Sequence, residues 1–270
     1  MQEKIIELYY KGSKIYLDYR SKVDKNAGIC FAYYLIMAII PICSISAFLA
    51  SLFNINLTTL EQILKNYINS DLSNIIIASL KTQNLSLSSL VAIAVALYVV
   101  SKGINQLYTV SKNLFPPNHN HMFIIQRIIV IFKTLAVFLL LLAIIALLTV
   151  IPVLDIFMNL SDYIIFEELY LFLIFFVILS LLYKIIPDVK VGLNNIIRGS
   201  ILASTLMLIL LAGLKLYFSL ADYSTLYGPL ASIVVIMISF ALMAEVIYIG
   251  MYVMFEGHSK EIVKLKGVDS

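Results

Sequence analysis

Tryptophan is absent from this 270-residue chain, and histidine, cysteine and proline are scarce, at 3, 2 and 6 residues. Cys30 and Cys43 share one apolar run and would lie about 20 Å apart along a helix, which excludes a mutual disulfide. His119, His121 and His258 have no further ligands at zinc-site spacing. We therefore predict no metal site and no cofactor.

Features of several function classes are also missing. The sequence has no glycine-rich phosphate-binding loop, which argues against ATP hydrolysis. The short segments between apolar runs contain no carboxylate and histidine cluster, so we predict no catalytic residues and no enzymatic activity. The net charge is only +3 and there is no basic-aromatic platform, so nucleic acid is not an expected partner.

Apolar residues are what the chain has in excess. They make up 61% of it and charged residues 13%, against roughly 45–50% and 25% in soluble domains. A spanning helix needs about 20 mainly apolar residues, because the hydrocarbon core is about 30 Å thick. We therefore predict an all-α polytopic membrane protein, a bundle of six transmembrane helices in residues 27–256. The predicted spans are about 27–53, 85–108, 124–154, 164–186, 194–220 and 229–255.

The positive charges predict the orientation of these spans. Six Lys and Arg residues precede the first span, and others flank the second-to-third and fourth-to-fifth connections and the tail at 257–270. The opposite side has only Lys65 and Lys81. The positive-inside rule then places both termini in the cytoplasm.

Residues 1–26 have apolar side chains at helical spacing among lysines, including Ile5, Leu8, Ile15 and Tyr19. This pattern predicts a cytoplasmic amphipathic N-terminal helix. It suits a helix that lies in the inner interface and contacts anionic lipid headgroups. A helix packed under the bundle would show the same pattern, and the sequence favours neither.

Two charges inside predicted spans are the best indicators of function, because each costs at least about 2.5–3.5 kcal/mol at the bilayer centre. Lys133 in the third span and Glu245 in the sixth both lie roughly 15 Å above the inner face at ~1.5 Å per residue. Equal depth and opposite charge lead to the hypothesis that they form a buried ion pair, or alternately hold a substrate charge or proton. A static pair that only pins two helices is the alternative.

Other residues add to a candidate cavity bordered by the first, third and sixth spans. Pro41 lies mid-membrane and predicts a kink or break in the first span. Tyr33 lies several residues inside that span, and Asn105 lies near the end of the second. We group Tyr33, Pro41, Asn105, Lys133 and Glu245 as cavity candidates. Separately, Tyr227-Gly228-Pro229 is predicted to form the turn before the last helix, with proline in the helix's first turn.

Several segments resemble one known family. These are Cys30-Phe31-Ala32-Tyr33-Tyr34-Leu35 followed by Pro41, Ser101-Lys102-Gly103-Ile104-Asn105-Gln106-Leu107-Tyr108, Pro187-Asp188-Val189-Lys190-Val191, and Tyr227-Gly228-Pro229. Over about residues 20–256 the chain is similar to the YihY/virulence factor BrkB family, formerly labelled ribonuclease BN. The resemblance implies a six-span bacterial inner-membrane protein. The family's Gly-Ala-Glu near the end of the last helix corresponds here to Gly250-Met251-Tyr252, so the carboxylate is absent at that place.

Together these observations predict a transporter or exporter of a small or amphipathic solute, lipid included. The competing class is a non-transporting scaffold that organises envelope proteins or lipids, in which the same charges only lock the bundle. Membrane lipids and an unidentified small-molecule or lipid substrate are the expected partners. The sequence does not specify an oligomeric state.

Overall fold

The described part of the chain is helical. The computed structural model describes residues 2–37, 87–116, 123–150, 164–220 and 229–265, and no strand occurs in them. The helices of these ranges are α1 (Gln2–Lys22), α2 (Ala27–Met37), α3 (Leu87–Leu114), α4 (Phe123–Val150), α5 (Ile164–Ile185), α6 (Leu193–Leu220) and α7 (Pro229–Leu265).

Long apolar helices identify the chain as a membrane protein. Among the described residues, three segments are long and apolar enough to cross a bilayer, namely Glu168–Ile185, Leu193–Tyr217 and Val234–Glu261. They lie in α5, α6 and α7. The all-helical class predicted from composition agrees with this part of the structure, whereas the count of six spans and their direction remain predictions.

The chain divides into two compact units. One contains Met1–Ala32 together with Asn105–Ser270, and the other contains Tyr33–Ile104. Lys133 and Glu245 belong to the first unit, together with all of α1 and α4–α7.

Within the first unit, small residues allow α6 to pack closely against α7, and α6 also packs against α5. A Cβ atom on Gly199 would lie 2.6 Å from the carbonyl oxygen of Gly250, and one on Gly250 would lie 2.6 Å from the Cβ of Ala203. Backbones that approach this closely leave no room for a side chain, as in other small-residue helix pairs in membranes. The buried Tyr183 of α5 reaches the same crossing, where its hydroxyl donates to the Ile247 carbonyl oxygen at 2.7 Å.

The end of α1 packs on α7, whereas its middle is exposed. Tyr19 and Val23 are buried, and the Tyr19 ring meets the Tyr252 ring edge-on at 5.5 Å. Tyr10 and Leu17 are exposed. The last turn of α1 is therefore held by contacts with α7. The apolar side chains before that turn are exposed, as is expected of a helix that lies in a membrane interface.

Candidate functional site

Only some of the residues predicted to form the cavity and the turn before the last helix lie in the described part of the chain. Pro41, Tyr227 and Gly228 lie outside the described residues. Tyr33, in the second unit, is about half exposed and its ring stands 5.4 Å from that of Tyr34. Asn105, in the first unit, is partly buried, and its carbonyl oxygen accepts a hydrogen bond from the Thr109 hydroxyl at 2.8 Å.

Lys133 binds the connection between α5 and α6. Its ammonium group donates to Asp188 Oδ1 at 2.6 Å and to the Ile186 carbonyl oxygen at 2.5 Å. Ile186 follows the last residue of α5, so the cation lies against a helix C-terminus, where it is electrostatically favoured. The ammonium group also lies 4.4 Å from the centroid of the Tyr108 ring. The Tyr108 hydroxyl donates to Asp188 Oδ2.

We call Tyr108, Lys133 and Asp188 the lysine cluster. Both oxygens of the Asp188 carboxylate are engaged, one by each of the other two members. The side chains of Lys133 and Asp188 keep 13% and 19% of their exposure, so the pair is largely but not fully removed from solvent. The lysine cluster thereby joins the end of α3, the first half of α4 and the connection after α5.

Glu245 binds the end of α1. The Tyr19 hydroxyl donates to Glu245 Oε2 at 2.7 Å, and Arg20 Nη1 lies 3.2 Å from Glu245 Oε1. Burial of Tyr19 and its hydrogen bond to Glu245 raise the pKa of the phenol, which keeps it a donor. Gly28 leaves space beside the carboxylate, since a Cβ atom there would lie 3.3 Å from Glu245 Oε1. We call Tyr19, Arg20 and Glu245 the glutamate cluster.

A second contact holds α1 next to the glutamate cluster. The Tyr252 hydroxyl donates to Asp18 Oδ2 at 2.6 Å, and Lys22 binds the same oxygen at 2.5 Å. These two hydrogen bonds, from Lys22 first and then Tyr252, lower the pKa of the Asp18 carboxyl. Tyr252 occupies the place where the family resemblance leads one to expect a glutamate. In this chain the carboxylate at that contact comes from α1 instead.

The hypothesis that Lys133 and Glu245 pair with each other is wrong. Each has its own partner of opposite charge, Asp188 for the lysine and Arg20 for the glutamate. Residue spacing gives the depth of a side chain along its helix, but it does not give the direction in which that helix is rotated. Both partners lie outside the predicted spans, so the depth argument for charges within the spans did not include them.

The structure adds to the site four residues that were not predicted as site residues: Tyr19, Arg20, Tyr108 and Asp188. Charged or tyrosine side chains within a few residues of a span end were the available signal, since such groups can reach a charge one or two turns inside a neighbouring helix. Among the described residues, no group of three or more His, Cys, Asp or Glu side chains could hold a metal ion.

Comparison with known proteins places the chain within a family. The virulence factor BrkB family matches residues 22–267, a range that includes Lys133, Asp188 and Glu245 and begins just after Arg20. The chain is 28% identical over 235 residues to the ribonuclease-like protein YfkH of Bacillus subtilis (strain 168), in an alignment that covers 81% of this chain and 84% of the relative. No solved structure matches the chain. The family resemblance seen in the sequence is confirmed, and the chain belongs to the virulence factor BrkB family.

Proposed function

We propose that this membrane protein transports or exports a small or amphipathic solute, lipid included, across the bacterial inner membrane through six spans with both termini in the cytoplasm. The observation that carries the proposal is the pairing of two span-borne charges with segments outside the spans. Lys133 binds the α5–α6 connection and Glu245 binds α1, and neither pair is fully buried.

Both clusters lie toward the same end of α5, α6 and α7. Tyr183, near the end of α5, contacts Ile247, which is two residues from Glu245. Asp188 of the lysine cluster follows the end of α5 by three residues. We assign this end to the cytoplasm, on the basis of the positive-inside rule.

Partly accessible ion pairs suit a gate better than a static lock. A fully buried ion pair adds little stability to a static contact between helices. Well-packed apolar side chains in its place often give a protein that is equally stable or more stable. Here the four charged side chains keep between 13% and 22% of their exposure, so water or a charged solute can compete for them. Opening the glutamate cluster would loosen the contact of α1 with α7, and opening the lysine cluster would release the α5–α6 connection. Each event would change access to the same end of the bundle.

Flux through vesicles tests the proposal. Purified protein in lipid vesicles would be assayed with a panel of fluorescent organic anions, organic cations and labelled phospholipids. Lys133→Gln and Glu245→Gln would be compared with the native chain. Lys260→Gln is the matched control, because Lys260 forms an exposed pair one turn from Glu256 on α7. A cooperative unfolding transition well above the assay temperature would establish that each variant is folded.

We expect flux of at least one solute by the native chain and the control, and altered flux in both cluster variants. Equal flux in all four proteins would exclude a gating role for the clusters. No flux for any solute, with α1 still docked, would favour the scaffold.

The name of the Bacillus relative raises RNA hydrolysis as another activity. We propose that this chain is not an enzyme, because both carboxylates of the clusters are engaged by cations and tyrosine hydroxyls rather than grouped around an open position. The test is incubation of structured and single-stranded RNA with the purified protein and Mg²⁺, Mn²⁺ or Zn²⁺. Cleavage by the native chain that disappears in Glu245→Gln or Asp188→Asn would overturn this view.

A further inference from the structure

A groove of about 410 Å³ runs along the exposed side of α6. Exposed Ile201 and Leu202 contribute to it, whereas the adjacent Ala203 and Ser204 are buried on the side of α6 that packs into the bundle. The groove is lined by Arg198, Ile201, Leu202, Thr205 and Leu206. We propose that it binds an anionic phospholipid, with the Arg198 guanidinium on the phosphate and one acyl chain along the apolar lining.

The lining is apolar along nearly its whole length, which suits a hydrocarbon chain. Ile201, Leu202 and Leu206 are apolar. The hydroxyl of Thr205 donates to the Ile201 carbonyl oxygen at 2.9 Å, so its hydrogen bond is made within the helix and it needs no polar ligand. The guanidinium of Arg198 is therefore the one charged group in the lining, and it stands at one end of the groove.

The size and depth of the groove match one acyl chain in one leaflet. Its volume lies within the range of roughly 300–1,000 Å³ that is usual for ligand pockets. Arg198 and Leu206 are eight residues apart, about 12 Å along a helix at ~1.5 Å per residue. One leaflet contributes about half of the ~30 Å hydrocarbon core, or roughly 15 Å. Arg198 lies near the start of α6, so its guanidinium stands at the headgroup end of that leaflet.

Charge favours an anionic headgroup over a zwitterionic one. Arg198 is exposed and forms no ion pair with a carboxylate in the described ranges. Lys184 and Lys190, at the end of α5 and in the connection to α6, are also exposed and add positive charge to this part of the chain. A guanidinium can donate two parallel hydrogen bonds to one phosphate, which a point charge cannot do.

Lipid binding by the purified full-length protein tests this site without any measurement of transport. Native mass spectrometry would count bound lipids during titration with phosphatidylglycerol and with phosphatidylcholine of the same acyl chains. Arg198→Gln removes the charge, and Leu202→Phe fills the groove but keeps the charge. Lys215→Gln is the matched control, because Lys215 is an exposed cation on the same helix that does not line the groove.

We expect one phosphatidylglycerol to bind more tightly than phosphatidylcholine to the native chain and to Lys215→Gln. Loss of a charge-assisted pair of hydrogen bonds should weaken this binding about tenfold or more in Arg198→Gln. Leu202→Phe should weaken both lipids alike. Equal binding of the two lipids in every variant would mean ordinary surrounding lipid and would overturn the proposal. A different result would be a dimer that binds no lipid in the groove and that Leu202→Phe alone disrupts. That result would overturn the proposal and make this face an interface between copies of the chain.

Discussion

Gly250→Ala should destabilise the packing of α5, α6 and α7, although alanine is the better helix former. The added Cβ would overlap the Tyr183 hydroxyl and would lie 2.6 Å from the Cβ of Ala203 and 2.9 Å from the Gly199 carbonyl oxygen. Overpacking of this kind costs about 1–3 kcal/mol. Displacement of Tyr183 would also break its hydrogen bond to Ile247, worth about 0.5–1.5 kcal/mol. Against this, replacement of a helical glycine by alanine gains about 1 kcal/mol. The net loss should be about 0.5–3.5 kcal/mol.

The assay is reversible unfolding in mixed detergent and denaturant, followed by far-ultraviolet circular dichroism. Gly213→Ala is the matched control, because Gly213 also lies within α6 and a Cβ there would meet nothing within 4 Å. The control should be neutral or slightly more stable than the native chain, since only the helix-propensity gain applies. If Gly250→Ala matched Gly213→Ala in stability, the close crossing of α6 and α7 could not be as described.

Two further predictions concern charged groups. Asp188→Asn leaves the cation of Lys133 without a carboxylate. It should lower the free energy of unfolding by about 1–3 kcal/mol, between the values for exposed and fully buried pairs. Glu256→Gln, in an exposed pair, should lower it by about 0.5 kcal/mol or less. The same unfolding assay measures both, and equal losses would contradict the burial of the lysine cluster. The pKa of Asp18 is lowered from its ordinary value of 3.8, first by Lys22, so its contribution to folding is present above that value and is lost as the pH falls through the folded-state pKa. Hydrogen exchange in the last turn of α1, corrected for intrinsic rates, should therefore become faster below about pH 4. Protection that does not change down to pH 2 would contradict the contact of Asp18 with Lys22 and Tyr252.

The sequence was sufficient for the class of the protein because the relevant forces act locally and add along the chain. Apolar runs of spanning length can be found directly in the residue order. They predict helices in the membrane, because the bilayer core has no water to satisfy backbone hydrogen bonds. The start of the last helix at Pro229 was likewise readable, since proline is tolerated in a first helical turn. Family motifs near span ends likewise indicated the virulence factor BrkB family.

The partners of the charged residues were decided only by the tertiary structure. Lys133 and Glu245 could be found from sequence, because an ionisable residue within an apolar run stands out against its neighbours. Their partners Asp188 and Arg20 could not, because each lies more than 50 positions away and outside the spans. A pairing between helices depends on the rotation of each helix about its axis and on the course of the connecting segments. Close contacts such as that of Gly199 with Gly250 fix the rotation, and no periodicity within a single helix reports which face its neighbour will meet.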